Sequence, residues 1–278
     1  MTAQTALVLG GGGITGVAWE IGMLAGLAEA GVDLRAADVV IGTSAGSVVG
    51  AQLRSGMSLD ELYERQLAEP KSEIGARIPP ALVARVAWAM LAARDPEAVG
   101  RNLGRMALAA RTVPEAERRE VIASRLPVTD WPDRALRTTA VDAHSGEFTV
   151  FDSGSGAELV DAVAASCAVP GVWPPVTIGG RRWIDGGVRT VANADLAEGH
   201  RRVVVLAPMG RGYGPSAARQ VAQLTENGSQ AALVVADTAA RRAFGRNPLD
   251  PARRAAAARA GRAQAAACAQ AVAAVWNA

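Results

Sequence analysis

The run Val39-Val40-Ile41-Gly42-Thr43-Ser44-Ala45-Gly46-Ser47 constrains the fold more than any other part of the chain. Its apolar start predicts a strand, G-x-S-x-G predicts a sharp turn, and the small residues after it predict a helix. A strand that turns directly into a helix strains its turn residue, and Gly42 and Gly46 remove the side chains that would clash there. The pattern displays the Ser44 hydroxyl and aims the first amides of the next helix at negative charge developing beside it. A glycine-rich helix N-cap is the plainer reading of the same residues.

Residues 6–9 form an earlier strand signal, followed by Gly10-Gly11-Gly12-Gly13-Ile14-Thr15-Gly16 and then by Val17, Ile21, Leu24 and Ala28 at helical spacing before Gly31. Two strand-loop-helix units in succession predict an α/β chain, three-layer α/β/α with a mainly parallel central sheet. Both loops then leave the C-terminal ends of adjacent strands and meet at one crevice. The glycine loop turns several amides to one side and so binds an anion. Gly11-x-Gly13-x-x-Gly16 fits a dinucleotide pyrophosphate, but such a site wants a carboxylate at the end of the second strand, where this chain has Ile41-Gly42-Thr43-Ser44. That favours an oxyanion as the ligand of the loop.

A nucleophilic serine needs a base, and the chain has two histidines, His144 and His200. Each falls beside turn residues and reads as a loop position. Asp185 is the better candidate, because Trp183-Ile184 leads into it from a strand and Gly186-Gly187 lets the chain turn after it. The same Asp-Gly-Gly suits a turn aspartate bonded to its own backbone.

Between the second strand and later ones lies a helical insertion over 58–133. Ser58 and Glu61 form a capping-box pattern, and Pro70, Pro79, Pro80, Pro96 and Pro114 punctuate further helices. Strands are expected at 136–141 and 148–151, joined through His144-Ser145-Gly146, and at 176–178 and 182–184, joined through Gly179-Gly180, with another at 202–206. The remainder, 216–278, reads as a helical C-terminal extension: one helix from Ser216 to about Ala243, a break at Pro248 and Pro251 with Asp250 as N-cap, and an alanine-rich helix through Val275 that packs thinly against the sheet. Residues 1–278 are expected to form one domain.

Half the residues are hydrophobic and a fifth charged, enough apolar surface for one large core. A formal charge of +2 argues against a nucleic-acid partner, although only Lys71 among 29 basic residues is a lysine. Cys167 and Cys268 have no disulfide-framework or metal-ligand spacing and act as small apolar residues. No secretory signal pattern opens the chain. The apolar stretch 81–93 contains Arg85 and is too short to span a bilayer. The expected setting is therefore cytoplasmic. The same stretch reads either as a flap whose Trp88 and Met90 meet acyl chains or a membrane surface, or as a packed core helix. Arg241, Arg242, Arg246, Arg253, Arg254, Arg259 and Arg262 read as a solvated face, with anionic lipid heads as the other choice.

Taken together, the glycine loop Gly10 to Gly16, the Gly42 to Gly46 elbow, Ala165-Ser166-Cys167-Ala168-Val169-Pro170-Gly171 with Pro174-Pro175, and Asp185-Gly186-Gly187 resemble, in order, the patatin-like phospholipases, serine lipid acyl hydrolases with a Ser-Asp dyad. The resemblance runs from about Ala6 to Pro208. It implies that Ser44 is the nucleophile, Asp185 its base, and the amides of Gly11, Gly12 and Gly13 the oxyanion hole. It implies no metal or other cofactor and a lipid or other acyl-ester substrate met in part at a membrane surface. One departure is Thr15, where the family usually has arginine or lysine. Acyl transfer or thioester cleavage on the same dyad, a Rossmann-type nucleotide binder and a lipid-binding protein without turnover are the competing expectations.

Overall fold

The computed structural model describes residues 4–69, 73 and 75–278; Pro70, expected to end a helix, lies outside them. Eight strands form one sheet, hydrogen-bonded in the order β5-β6-β3-β2-β1-β7-β8 with β4 also on β3: β1 (Thr5–Leu9), β2 (Val39–Gly42), β3 (Ala135–Asp142), β4 (Phe148–Phe151), β5 (Val176–Ile178), β6 (Arg181–Asp185), β7 (Arg202–Ala207) and β8 (Gln230–Val235). β3, β2, β1, β7 and β8 are parallel, β4 and β6 each pair antiparallel with β3, and β5 pairs antiparallel with β6. β1 and β2 are buried along their whole length, which is why they read as continuous apolar runs.

Helices cover both faces. On one, Leu7, Leu9, Val40, Val204 and Leu206 pack under α1 (Gly13–Glu29) and α2 (Ala45–Leu53). On the other, Ala6, Val8, Val39, Ile41, Val203 and Val205 pack with the 191–197 segment and a helix that follows β7. Each fully buried aliphatic side chain of this kind contributes roughly 1.5–3 kcal/mol relative to exposure.

Among the described residues four helices lie between α2 and β3. α3 (Leu59–Leu67) starts with the Ser58/Glu61 capping box, both halves of which form. α4 (Pro80–Leu91) and α5 (Pro96–Leu108) start with proline at the first turn, and α6 (Glu115–Arg125) starts after Pro114. α7 (Leu159–Ser166) then leads into the Pro170-Gly171 turn. The 216–243 stretch departs from expectation. It divides into α8 (Ala217–Glu226), strand β8 and α9 (Thr238–Phe244), because Asn227 and Gly228 (φ 94°) end the first helix and Gln230–Val235 pairs in parallel with β7. The C-terminal α10 (Arg254–Trp276) lies mainly against α1, so the thin helix packs on another helix more than on the sheet.

α4 fits neither reading fully. Leu82, Val86 and Ala89 turn inward, while Val83, Trp88 and Leu91 are 55%, 72% and 86% exposed. Met90 lines a cavity of about 590 Å³ together with Val188 and Tyr213.

Candidate active site

Ser44 is the N-cap of α2 and holds φ 52° and ψ −113°, one of two non-glycine residues with positive φ among those described. The close approach of the first two strand-helix units requires the flanking glycines. A Cβ on Gly46 would sit 2.1 Å from the Leu9 carbonyl oxygen, and one on Gly42 would sit 2.4 Å from that of Gly46. The turn is also braced from outside its own segment. Ser44 N–H donates to Ser166 Oγ at 2.9 Å, while Ser47 Oγ (2.7 Å) and Cys167 Sγ (3.3 Å) donate to the Ser44 carbonyl.

The glycine loop lies against this turn. A Cβ on Gly11 would stand 3.7 Å from Ser44 Cβ, and Gly46 N–H donates to Gly10 O at 3.0 Å. Of the three amides expected to face an oxyanion, that of Gly11 is already bonded to Val191 O at 2.7 Å, because the loop runs beside the 191–197 segment. Those of Gly12 and Gly13 have no backbone acceptor among the described residues, as befits the N-cap and first residue of α1. Thr15 is fully buried, and its N–H donates to Pro248 O at 3.1 Å.

Asp185 reaches the same place through the sheet. β4 and β6 pair with overlapping residues of β3, 138–141 and 140–142, so they take opposite edges. β2 pairs with 135–138, sharing Thr138 with β4, so β2 lies on the β6 edge. β2 therefore runs up that edge to Gly42, and β6 runs down it to Asp185 opposite Ala140. Their C-terminal ends face each other across Thr139. Asp185 is 5% exposed. Burial raises its carboxyl pKa to about 7, against the opposing pull of the Ser44 hydroxyl and the Gly187 N–H. The Gly187 bond is 2.7 Å. The turn aspartate and the candidate base are thus one residue: Asp185 caps the 3₁₀ turn Gly186–Val188 and still faces Ser44.

Two braces were not legible as such. Ala168 O accepts the Asp185 N–H at 3.0 Å, so the turn after α7 holds the aspartate as well as the serine. Asn193, buried at φ 50°, donates through Nδ2 to Thr43 Oγ1 (3.0 Å), Gly186 O (3.2 Å) and Thr190 O (3.0 Å), tying the serine turn to the aspartate turn. Its local sequence Val191-Ala192-Asn193-Ala194 carries no catalytic pattern; a left-handed asparagine is the signal, and only the backbone shows it.

Ser44 is 8% exposed and borders a cavity of about 20 Å³, room for about one water. His144 lies in the exposed β3–β4 turn, its N–H bonded to Asp142, and His200 bonds Ala197 O through Nδ1. Several of the C-terminal arginines are engaged: Arg262 pairs with Glu29, Arg254 bonds Gln66 and Arg65 O, and Arg241 bonds Ala236 O. Among the described residues no group of three or more His, Cys, Asp or Glu is placed to hold a metal, and no helix is long and apolar enough to cross a membrane.

Among solved structures, VipD from Legionella pneumophila is similar at 12% identity and TM-score 0.51, covering 98% of this chain and 67% of that one. That likeness shows a shared fold. The type III effector protein ExoU matches at 18% identity and TM-score 0.44, covering 97% of this chain and 53% of its own. No curated protein matches the sequence significantly. The family model for Patatin-like phospholipase matches residues 7–198, a span that holds the serine elbow, the glycine loop and Asp185. On that match, which covers well over half the chain, the protein belongs to the patatin-like phospholipase family.

Proposed function

We propose that this protein is a lipid acyl hydrolase that cleaves carboxylic esters through a Ser44–Asp185 dyad and an acyl-enzyme. The observation that carries the reading is the meeting of the β2 and β6 ends on one edge of β3, which puts a buried carboxyl with a pKa of about 7 beside a serine held at positive φ. Ionised Asp185 takes the Ser44 hydroxyl proton as Oγ attacks the ester carbonyl. The tetrahedral oxyanion is held by the Gly12 and Gly13 amides at the N-terminus of α1. Collapse breaks the ester C–O bond, and Asp185 returns its proton to the departing alkoxide. Water then attacks the acyl-Ser44 ester with Asp185 again as base, releasing the fatty acid and restoring Ser44. The outward apolar residues of α4, with Trp88 foremost, are the part that meets a lipid surface.

The test is covalent labelling. An uncharged fluorophosphonate should add once to the wild-type protein by intact mass, and Ser44→Ala should take up none while unfolding at the wild-type temperature. With an acyl ester as substrate, fatty acid should remain the product when glycerol is added as an acceptor. A folded wild type that takes no label, or an Ser44→Ala variant that keeps full turnover, removes the dyad reading.

A further inference from the structure

Glu20, in the second turn of α1, is fully buried, and among the described residues neither of its carboxyl oxygens has a hydrogen-bond partner. A buried, unpaired polar group costs stability that an apolar side chain of the same shape would not. Packing alone therefore does not account for it.

Its position on the helix points to a use. Gly16 and Glu20 lie one turn apart on one face of α1, in line with Gly12 at its N-cap. That face is pressed against the start of α2 and the residue after β7. A Cβ on Gly12 would stand 2.7 Å from Pro208 Cβ, and one on Gly16 would stand 3.3 Å from Ala45 Cβ and from Pro208 Cγ. Long helical side chains lean toward the helix N-terminus, which here is the glycine loop, and the Gly10 amide is the polar group that bears on the Glu20 carboxyl. Gly10 ties the site together: its N–H donates to Leu206 O at 2.9 Å and its carbonyl accepts the Gly46 N–H at 3.0 Å.

No charge from the elements around α1 acts on Glu20. α2 carries none. On α10, Arg262 pairs with Glu29, Arg254 bonds Gln66, and the Cys268 thiol meets Met23. On α9, Arg241 bonds Ala236 O, and on α3, Glu61 is held by Ser58. Burial therefore favours the protonated carboxyl and raises its pKa well above the ordinary glutamate value. Once ionised, the carboxylate has the Gly10 N–H as its donor and competes for it with Leu206 O.

We propose that Glu20 is a positioning residue for the glycine loop: protonated, it leaves Gly10 on Leu206 and the Gly12 and Gly13 amides in place, and on losing its proton it draws Gly10 away and disables the oxyanion site. The proposal rests on the Ser44–Asp185 reading and gives the reaction an upper pH limit beside the lower one set by Asp185.

The test compares wild type with Glu20→Gln, which keeps the shape and does not ionise. The rate of labelling by an uncharged fluorophosphonate and kcat/KM on a neutral short-chain ester are followed from about pH 6 to about pH 10, at a temperature where both proteins stay folded. Wild-type rates should rise as Asp185 ionises, level off, and then fall by about tenfold per pH unit; the fall should be absent in Glu20→Gln. Cys167, whose thiol burial pushes up to about 11, and Tyr213, whose pKa burial also raises, titrate near the dyad as well, and a fall due to either would persist in Glu20→Gln. An equal fall in both proteins overturns the proposal, as does a wild type that keeps its rate throughout. If Glu20→Gln does not fold, Glu20→Met takes its place in the comparison. Because the folded pKa is raised, wild type should also lose unfolding temperature relative to Glu20→Gln as pH rises. That loss with unchanged labelling of the folded protein would make Glu20 structural only and overturns the positioning role. Amide hydrogen exchange over residues 10–16, faster in wild type than in Glu20→Gln at high pH and equal at low pH, reads the loop without turnover. A wild type that takes no label at any pH removes the hydrolase reading, while the exchange result still decides whether Glu20 controls the loop.

Discussion

At the scale of single residues, Asp185 carries the most information. Its folded pKa of about 7 lies above the ordinary aspartate value of 3.8. Stability from this group is therefore fully present below about pH 4 and is lost as pH rises through about 7, by up to about 4 kcal/mol. Asp185→Asn removes that dependence. Its unfolding temperature relative to wild type should be higher at pH 8 than at pH 5, by thermal denaturation at both. Wild-type kcat/KM should rise through pH 7 as the base ionises, and the variant should lose most turnover at every pH. Asn193 is the second decisive residue. Asn193→Ala strands a buried carbonyl at Gly186 and loosens Thr43, at a cost of about 3 kcal/mol by denaturant unfolding, with kcat lowered more than KM. The identity of Ser44 and Asp185 as candidates was legible, because a serine between two glycines and an aspartate before two glycines are local patterns. The role of Asn193 was not, since its partners Thr43 and Thr139 stand 150 and 54 residues away.

At the scale of elements, α4 and β8 show the two ways local reading falls short. The periodicity of α4 marks a helix with apolar residues on every side, yet it cannot say which side the rest of the protein covers. The structure covers Leu82, Val86 and Ala89 and leaves Trp88 out. Trp88→Ala should therefore leave stability within about 0.5 kcal/mol and soluble short-chain ester turnover unchanged, while lowering turnover of lipid in vesicles and co-sedimentation with them. Unchanged vesicle turnover would detach α4 from the lipid surface. β8 was hidden for a different reason: Gln-Ala-Ala-Leu-Val-Val has no clear alternation and sits among helix formers, so its strand form follows from the open edge of β7. The Asn227-Gly228 pair that ends α8 is the local mark of the break.

At the scale of the whole molecule, α10 closes the structure over α1 at very short range. A Cβ on Gly22 would come 2.0 Å from the Ala258 carbonyl oxygen, and one on Gly261 would come 2.2 Å from that of Trp19. Gly22 of α1 and Gly261 of α10 are thus what allow the two backbones to approach, and Gly22→Ala should cost about 2–3 kcal/mol by pushing them apart, measured by chemical denaturation. By itself the sequence determined the two strand-loop-helix units, the elbow and the glycine loop. Each depends on contacts or backbone angles within a few residues, where glycine, proline and apolar spacing speak directly. The tertiary structure alone decided that β6 runs back along the β2 edge of β3 to bring Asp185 to Ser44 and that Val191 takes the Gly11 amide. Those choices are made between segments tens to more than a hundred residues apart, and they are set by strand pairing and burial, which leave no periodic trace in the residues that carry them.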